Sequence, residues 1–200
     1  MITVNDIKAC SNMHRIPKSV HINKNITFDW NLLQSLTNPD ERCYKYDFDV
    51  YLPTYGFNLQ RDYVWEHYQQ NEFIMSILLE KPIDPIIAIL HNSDLEKRSD
   101  ATMQIIDGKQ RLLTIKKFAN NEFPIDINGK EVYFKDFDNE VKRFFESRVD
   151  YLIGTIYYSY DDCPLTDDMK IILFNFYNFA GTPQTEEHKN KLQTLIKDKI

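Results

Sequence analysis

The sequence lacks the features that mark several large classes of protein. Its three cysteines, Cys10, Cys43 and Cys163, form no Cys-x-x-Cys pair and are odd in number, which disfavours a disulfide framework or a structural zinc site. No stretch approaches the ~20 apolar residues of a membrane-spanning helix, and the polar N-terminus has no apolar signal core. We therefore expect a cytoplasmic protein with reduced thiols and no membrane partner.

An excess of basic residues is also missing. Lysine and arginine number 24 against 30 aspartate and glutamate, so the formal net charge is −6. This balance disfavours a protein that coats DNA, and we expect direct DNA binding to be weak or dependent on a partner. A small anion site stays compatible with it, because backbone amides and a few arginines can bind phosphate on an acidic protein.

What the chain does contain is a pattern of apolar residues that suits a folded core. With 200 residues, of which 42% are hydrophobic, it can bury a core without disulfides or metals. Helical and strand periodicities both occur, so the predicted fold class is α+β. The predicted helices span 28–36, 65–79, 110–118, 138–146, 168–179 and 186–197, the predicted strands 44–51, 83–90, 101–106 and 151–160, and a hairpin is predicted over 125–134.

Glycine is scarce, with 5 residues, and one glycine lies in the most informative segment. The predicted strand before Asp107 runs into Gly108, where a helix begins, and such a junction leaves unpaired amides that attract anions. Gly108 permits a positive φ and close approach of a ligand. Lys109 and Arg111 add two cations, and Arg111 can hold a phosphate through two parallel hydrogen bonds. Asp107 could orient a water, hold a metal or bond a ribose hydroxyl.

A plainer alternative exists for this segment. Asp107 can simply cap the helix and Gly108 make the turn, because Asp-Gly before a helix is common turn chemistry. The segment is not a P-loop, since the Gly-x-x-x-x-Gly-Lys-Ser/Thr pattern is missing. Two other segments shift the balance: 60–65, Gln-Arg-Asp-Tyr-Val-Trp, which opens a predicted helix, and 174–183, in which a predicted helix ends at Gly181.

In this order, the three segments resemble one family. Gln60-Arg61-Asp62-Tyr63-Val64-Trp65, Asp107-Gly108-Lys109-Gln110-Arg111-Leu112-Leu113-Thr114 and Phe174-x-x-x-Asn178-x-x-Gly181-Thr182-Pro183 are similar to motifs of the N-terminal domain of GmrSD-type modification-dependent restriction endonucleases. The resemblance covers roughly 59–183. It implies a ParB/sulfiredoxin-like fold, a small mixed sheet with packed helices. We expect an N-terminal extension with a short helix and strand (1–50), a nucleotide-binding core (51–135) and a mainly helical C-terminal part of the same domain (136–200).

The resemblance also implies a ligand and roles for individual residues. The loop would bind a nucleoside triphosphate, with Mg²⁺, and several members of the family hydrolyse it. The implied catalytic residues are Asp107, Gln110 and Arg111, of which Asp107 or Gln110 would place the attacking water. The implied nucleotide-binding residues are Gln60, Arg61, Gly108, Lys109 and Thr114, and no metal ligand is assigned. Lys109 stands where the family's loop usually has a glutamine, which leaves hydrolysis open.

Several functions follow as hypotheses. The chain stops at Ile200, where the family's nuclease half would begin, so we expect that it does not cut DNA by itself. The first hypothesis is a nucleotide-binding, regulatory module of a restriction or phage-defence system that acts through a protein partner or a homo-oligomer. The second is a non-catalytic interaction or structural module, of a phage or its host, that retains the fold. The third, a sensor of modified DNA, is disfavoured by the net charge of −6.

Overall fold

The computed structural model describes residues 20–40, 42–91, 101–160 and 164–178. It confirms the α+β class, with helices and strands interspersed along the chain. The strands are β1 (Ile22–Thr27), β2 (Lys45–Asp47), β3 (Tyr51–Leu52), β4 (Phe57–Asn58), β5 (Ile86–His91), β6 (Thr102–Asp107), β7 (Ile125–Ile127), β8 (Lys130–Val132) and β9 (Ile153–Ser159). The helices are α1 (Leu32–Thr37), α2 (His67–Leu78), α3 (Lys109–Ala119), α4 (Asn139–Asp150) and α5 (Asp167–Asn178), with a 3₁₀ turn at Phe134–Asp136.

The main sheet has five strands in the order β1-β9-β5-β6-β2. β5 runs parallel to β9 and antiparallel to β6, while β6 runs parallel to β2, so the sheet is mixed. The central strand β5 is apolar and buried along nearly its whole length, as expected of a strand covered on both faces. Strands from the predicted N-terminal extension (β1 and β2) and from the predicted C-terminal part (β9) join strands of the predicted nucleotide-binding core in this sheet.

Two hydrophobic cores lie on the two faces of the sheet. Because successive side chains of a strand point to opposite faces, Ile86 and Ala88 of β5 enter one core, and Ile87 and Ile89 enter the other. The first core contains the buried faces of α1 to α4, and Phe118 of α3 lies among several aromatic rings there. The second contains the buried face of α5 and residues of the β3–β4 hairpin. In the described part of the chain, the sheet thus lies between α1–α4 on one face and α5 with the β3–β4 hairpin on the other.

The elements predicted within the described residues occur in the predicted order and type, with different boundaries, but β1 and the β3–β4 hairpin were not predicted. The helix predicted from Trp65 begins at His67, because residues 61–66 have no regular secondary structure and Glu66 and Gln69 form a capping box at the helix start. The hairpin at 125–134 is confirmed, with Asn128 and Gly129 both at positive φ in its turn. The predicted helix at 186–197 lies outside the described residues. In the ranges that the structure covers, no helix is long and apolar enough to cross a membrane.

Candidate functional site

The loop after β6 has the geometry that the sequence predicts. Gly108 occupies the N-cap position of α3 with φ of 108°. A Cβ atom on Gly108 would lie 2.5 Å from the Cδ1 atom of Ile86, which is far inside van der Waals contact. Glycine is therefore favoured here by the backbone angle, and a Cβ atom would in addition force the Cδ1 methyl group of Ile86 to move. The first amides of α3 follow immediately, and the first turn of a helix leaves its N–H groups without intrahelical acceptors.

This loop forms one wall of a cleft of about 390 Å³. The other walls come from the 60–65 segment, α2, the segment that leads into β5, and the end of α5. All of the predicted site residues except Thr114 line the cleft: Gln60, Arg61, Asp107, Gly108, Lys109, Gln110 and Arg111. Two segments that are distant in sequence, 60–65 and 107–111, thus meet at one concave surface.

Arg111 connects the loop to the segment before β5. Its Nη2 atom donates to the Asp107 carboxylate at 2.8 Å and to the Pro85 carbonyl oxygen at 3.2 Å, and its Nη1 atom donates to the carbonyl oxygen of Asp84. The side chain is only 12% exposed. Burial raises the pKa of Asp107, while the Arg111 guanidinium and the Gly108 amide oppose the rise. Asp107 therefore pairs with Arg111, and the N-cap position belongs to Gly108.

Lys109 makes an ion pair with a residue outside the motif. Its Nζ atom lies 2.9 Å from the Oδ1 atom of Asp49, which follows β2. The lysine side chain is 6% exposed, whereas the Asp49 side chain is 61% exposed. The charge of Lys109 in the cleft is thus neutralised by the more exposed carboxylate of Asp49.

Gln110 fastens the 60–65 segment to α3. Its Oε1 atom accepts hydrogen bonds from the backbone amides of Val64 at 2.9 Å and Trp65 at 3.3 Å. Its Nε2 atom donates to the carbonyl oxygen of Asp62 at 3.0 Å. Both ends of the carboxamide are therefore engaged with backbone. This arrangement positions the segment, and a water-placing role for Gln110 would compete with it.

Thr114 lies outside the cleft, on the side of α3 from which Gln110 bonds to the 62–65 backbone. Its side chain is fully buried, and its Oγ1 atom lies 2.8 Å from the Tyr63 hydroxyl and 2.8 Å from the carbonyl oxygen of Gln110. One helical turn separates Thr114 from Gln110, which directs Thr114 toward Tyr63. The nucleotide-binding role implied for Thr114 stays a prediction, and the contact that its hydroxyl makes in this structure is with Tyr63.

Gln60 and the end of α5 meet at the last residues of β6. Gln60 Nε2 donates to the carbonyl oxygens of Ile105 and Ile106, at 2.7 Å each. Asn178 Nδ2 donates to the Ile106 carbonyl at 3.3 Å and to the Phe174 carbonyl at 2.9 Å. Sequence reasoning did not assign Asn178 to the site, although it is the asparagine of the Phe-x-x-x-Asn segment, and that was the available signal. Gly181, Thr182 and Pro183 lie outside the described residues.

The lining combines charged side chains, here called the charged part, with apolar side chains, the apolar part. Arg61 is one of the charged residues, and burial lowers the pKa of its guanidinium. In the apolar part, Trp65 packs edge-on against Phe73 with ring centroids 5.4 Å apart, and Ile83 lies beside them in the lining. The indole N–H of Trp65 is buried and has no hydrogen-bond partner in the described part of the chain. Buried indole N–H groups usually have an acceptor, so Trp65 is an exception among the described residues.

Among the residues that the structure describes, no group of three or more His, Cys, Asp or Glu side chains is arranged to hold a metal ion. Asp84 and Asp107 both line the cleft. One or two carboxylates combined with substrate phosphates are the usual environment of Mg²⁺.

Comparison with known proteins gives one match. A family model described as the GmrSD restriction endonuclease N-terminal domain matches residues 45–198. A search of curated proteins and a search of solved structures each found no match. The matched range contains every residue that lines the cleft, and it leaves out β1 and α1.

Proposed function

Because the chain belongs to the family of GmrSD restriction endonuclease N-terminal domains, and is thereby a restriction-system module, we propose that its cleft binds a nucleoside triphosphate. The observation that carries this proposal is the presence, in one cleft, of a phosphate-type loop at Asp107–Arg111 and an aromatic wall at Trp65 and Phe73. The bound nucleotide acts as a regulatory signal to a protein partner or to a second copy of the chain. The cytoplasm, where restriction systems act on DNA, is its proposed location.

The charged part of the cleft takes the phosphates. The helix α3 begins directly after Gly108, so its first amides and the positive end of its dipole favour an anion. Arg61 and Lys109 add positive charge around the same space. Arg111 keeps the loop in shape through its bonds to Asp107 and to the segment before β5. The net charge of −6 does not oppose this, because the attraction is local.

The apolar part of the cleft takes the nucleobase. Aromatic and aliphatic side chains, including Trp65, Phe73 and Ile83, form a surface on which a flat ring can lie. Inorganic phosphate and triphosphate have no ring that could pack against this surface. The volume of about 390 Å³ falls within the roughly 300–1,000 Å³ of small-molecule sites. The cleft therefore favours a nucleotide over a bare polyphosphate.

Asp84 and Asp107 are the groups that would hold Mg²⁺, which neutralises the charge of the phosphates when bound. Asp107 is also better placed than Gln110 to orient a water, because both ends of the Gln110 carboxamide are engaged with the 62–65 backbone. The position of that carboxamide supports a role in which Gln110 keeps the 60–65 segment against the loop. Any hydrolysis is thus assigned to Asp107.

Nucleotide binding is tested by two independent readouts. Thermal stability is measured with ATP, GTP, CTP and UTP in the presence of Mg²⁺. The fluorescence of Trp65 is recorded in a Trp30→Phe variant, which leaves Trp65 as the single tryptophan. We expect at least one nucleotide to raise the melting temperature and to change Trp65 emission saturably, and inorganic triphosphate to leave the emission unchanged. An Arg61→Gln variant serves as the matched loss-of-binding control.

A negative result would also be informative. If no nucleotide changes either readout at millimolar concentration, the proposal fails. The retained fold would then favour the second hypothesis, a non-catalytic interaction module.

A further inference from the structure

The ion pair between Lys109 and Asp49 has a consequence for nucleotide affinity. We propose that Asp49 is an affinity-determining residue of the cleft, which holds Lys109 in the ligand-free protein and is displaced by a nucleotide phosphate. The proposal rests on the nucleotide-binding function proposed above and adds to it a specific competitor. Asp49 lies in the bend between β2 and β3, outside the loop and outside the 60–65 segment.

The two members of the ion pair differ in the cost of losing their partner. The Lys109 side chain is 6% exposed, and its Nζ atom lies 2.9 Å from the Asp49 carboxylate. A buried ammonium group needs a partner, because leaving it unpaired away from water is costly. The Asp49 side chain is 61% exposed and can be solvated again at little cost. Lys109 therefore keeps an anionic partner in every state, and Asp49 is the partner that can be exchanged.

The charge of the cleft also favours this exchange. The lining carries three cations, Arg61, Lys109 and Arg111, and two carboxylates, Asp84 and Asp107. Arg111 is already paired with Asp107, and Asp49 adds a third carboxylate through its contact with Lys109. While Asp49 is in place, the carboxylates at the cleft equal the cations in number. Departure of Asp49 makes the charge of Lys109 available to a phosphate.

The backbone that presents Asp49 is strained. The next residue, Val50, is fully buried and has φ of 52°, a value that is rare for a β-branched side chain. The turn is held by Asp47, whose Oδ1 atom accepts hydrogen bonds from the amides of Asp49 at 3.0 Å and Val50 at 2.9 Å. The carbonyl oxygens of Asp49 and Val50 also accept hydrogen bonds from the amides of Gln60 and Leu59, at 3.1 and 3.0 Å, so this turn is joined to the start of the 60–65 segment.

The test is a nucleotide titration of four proteins: wild type, Asp49→Asn, Lys109→Gln and the double variant. With the nucleotide that binds wild type, Asp49→Asn should tighten binding about tenfold, which corresponds to the loss of one competing charge pair. Lys109→Gln should weaken binding, and Asp49→Asn should have no further effect in that background. The control variant is Glu131→Gln. It removes the same charge from an exposed side chain of β8 and should leave the affinity unchanged.

Hydrogen exchange of wild type provides a second readout that needs no variant. Binding should slow exchange of the amides that follow Gly108 and accelerate exchange of the Asp49 and Val50 amides, as the turn held by Asp47 opens. Faster exchange in a bound state is not expected from simple stabilisation of the fold.

The outcomes separate this proposal from the function on which it rests. If wild type binds nucleotide while Asp49→Asn binds equally or more weakly, Asp49 is not a competitor and this inference alone is overturned. A gain that persists in the Lys109→Gln background, or unchanged exchange at Asp49 and Val50, overturns it as well. If neither wild type nor Asp49→Asn binds any nucleotide, both proposals fail together.

Discussion

Gln60 and Asn178 donate hydrogen bonds to one acceptor, the carbonyl oxygen of Ile106, at 2.7 and 3.3 Å. This carbonyl directly precedes Asp107 and Gly108, so two segments far apart in sequence fix the end of β6 where the loop begins. The amide orientation of Asn178 is unambiguous, because both of its contacts are carbonyl oxygens and only Nδ2 can donate to them. The loop is thus supported from behind by side chains of two of the three motif segments.

Replacement of Gly108 should be more costly than replacement of another positive-φ glycine. Gly108→Ala combines a φ of 108° with a Cβ atom 2.5 Å from Ile86, and we expect a loss of about 3 kcal/mol in the free energy of unfolding. Gly129 has φ of 77° but open space around its Cβ position, so Gly129→Ala should lose about 1 kcal/mol. Urea denaturation of both variants measures the difference, and equal losses would show that contact with Ile86 is unimportant.

Removal of the Gln110 side chain should loosen the 60–65 segment. In Gln110→Ala the amides of Val64 and Trp65 lose their acceptor, and we expect a loss of about 2 kcal/mol in stability. Hydrogen exchange at these two amides should accelerate. Gln110→Glu keeps an acceptor for both amides and loses only the donor to Asp62, so its effect on exchange should be smaller. Unchanged exchange at Val64 and Trp65 in Gln110→Ala would contradict the fastening role.

Replacement of Arg111 should lower the stability of the fold as well as alter the cleft. Arg111→Ala leaves the Asp107 carboxylate and the carbonyl oxygens of Asp84 and Pro85 without their donor, and we expect a loss of about 3 kcal/mol in stability. Asp107→Asn retains an acceptor oxygen for Arg111 and should be milder. Melting temperatures measured without nucleotide will show the difference. A wild-type melting temperature for Arg111→Ala would mean that these contacts contribute nothing.

Asp150 should give the protein a pH-dependent stability. Burial raises the pKa of Asp150 from 3.8 to about 6, opposed by the Leu33 amide, with Glu146 and Asp29 nearby adding to the rise. Since the pKa is higher in the folded than in the unfolded protein, the contribution to stability is present in full below about 4 and is lost as pH rises through about 6.

Asp150→Asn tests this directly. The variant cannot ionise at this position, while its side-chain oxygen can still accept the hydrogen bond from the Leu33 amide. Unfolding free energies between pH 4 and pH 7 should therefore fall less steeply in Asp150→Asn than in wild type. Parallel curves for the two proteins would show that the carboxyl of Asp150 does not titrate in this window.

The three motif segments could be selected from the sequence because each carries a local signal. Asp-Gly before a helix, Gln-Arg before an aromatic helix start, and a helix that ends in Asn and Gly are visible without any knowledge of the fold. Boundaries were less predictable. The start of α2 depends on the capping box of Glu66 and Gln69, whereas apolar periodicity placed it at Trp65.

What the sequence alone determined is the α+β class, most helices and the long central strands in their order, the preference for glycine at position 108 and the family. These follow from periodicity, backbone limits and motif order, which are local properties of the chain. The tertiary structure decided which partner each site residue has: Asp49 for Lys109, the 62–65 backbone for Gln110, and Tyr63 for Thr114. The physical reason is that these hydrogen bonds join residues far apart in sequence, and such partners are chosen only when the sheet and its helices pack together.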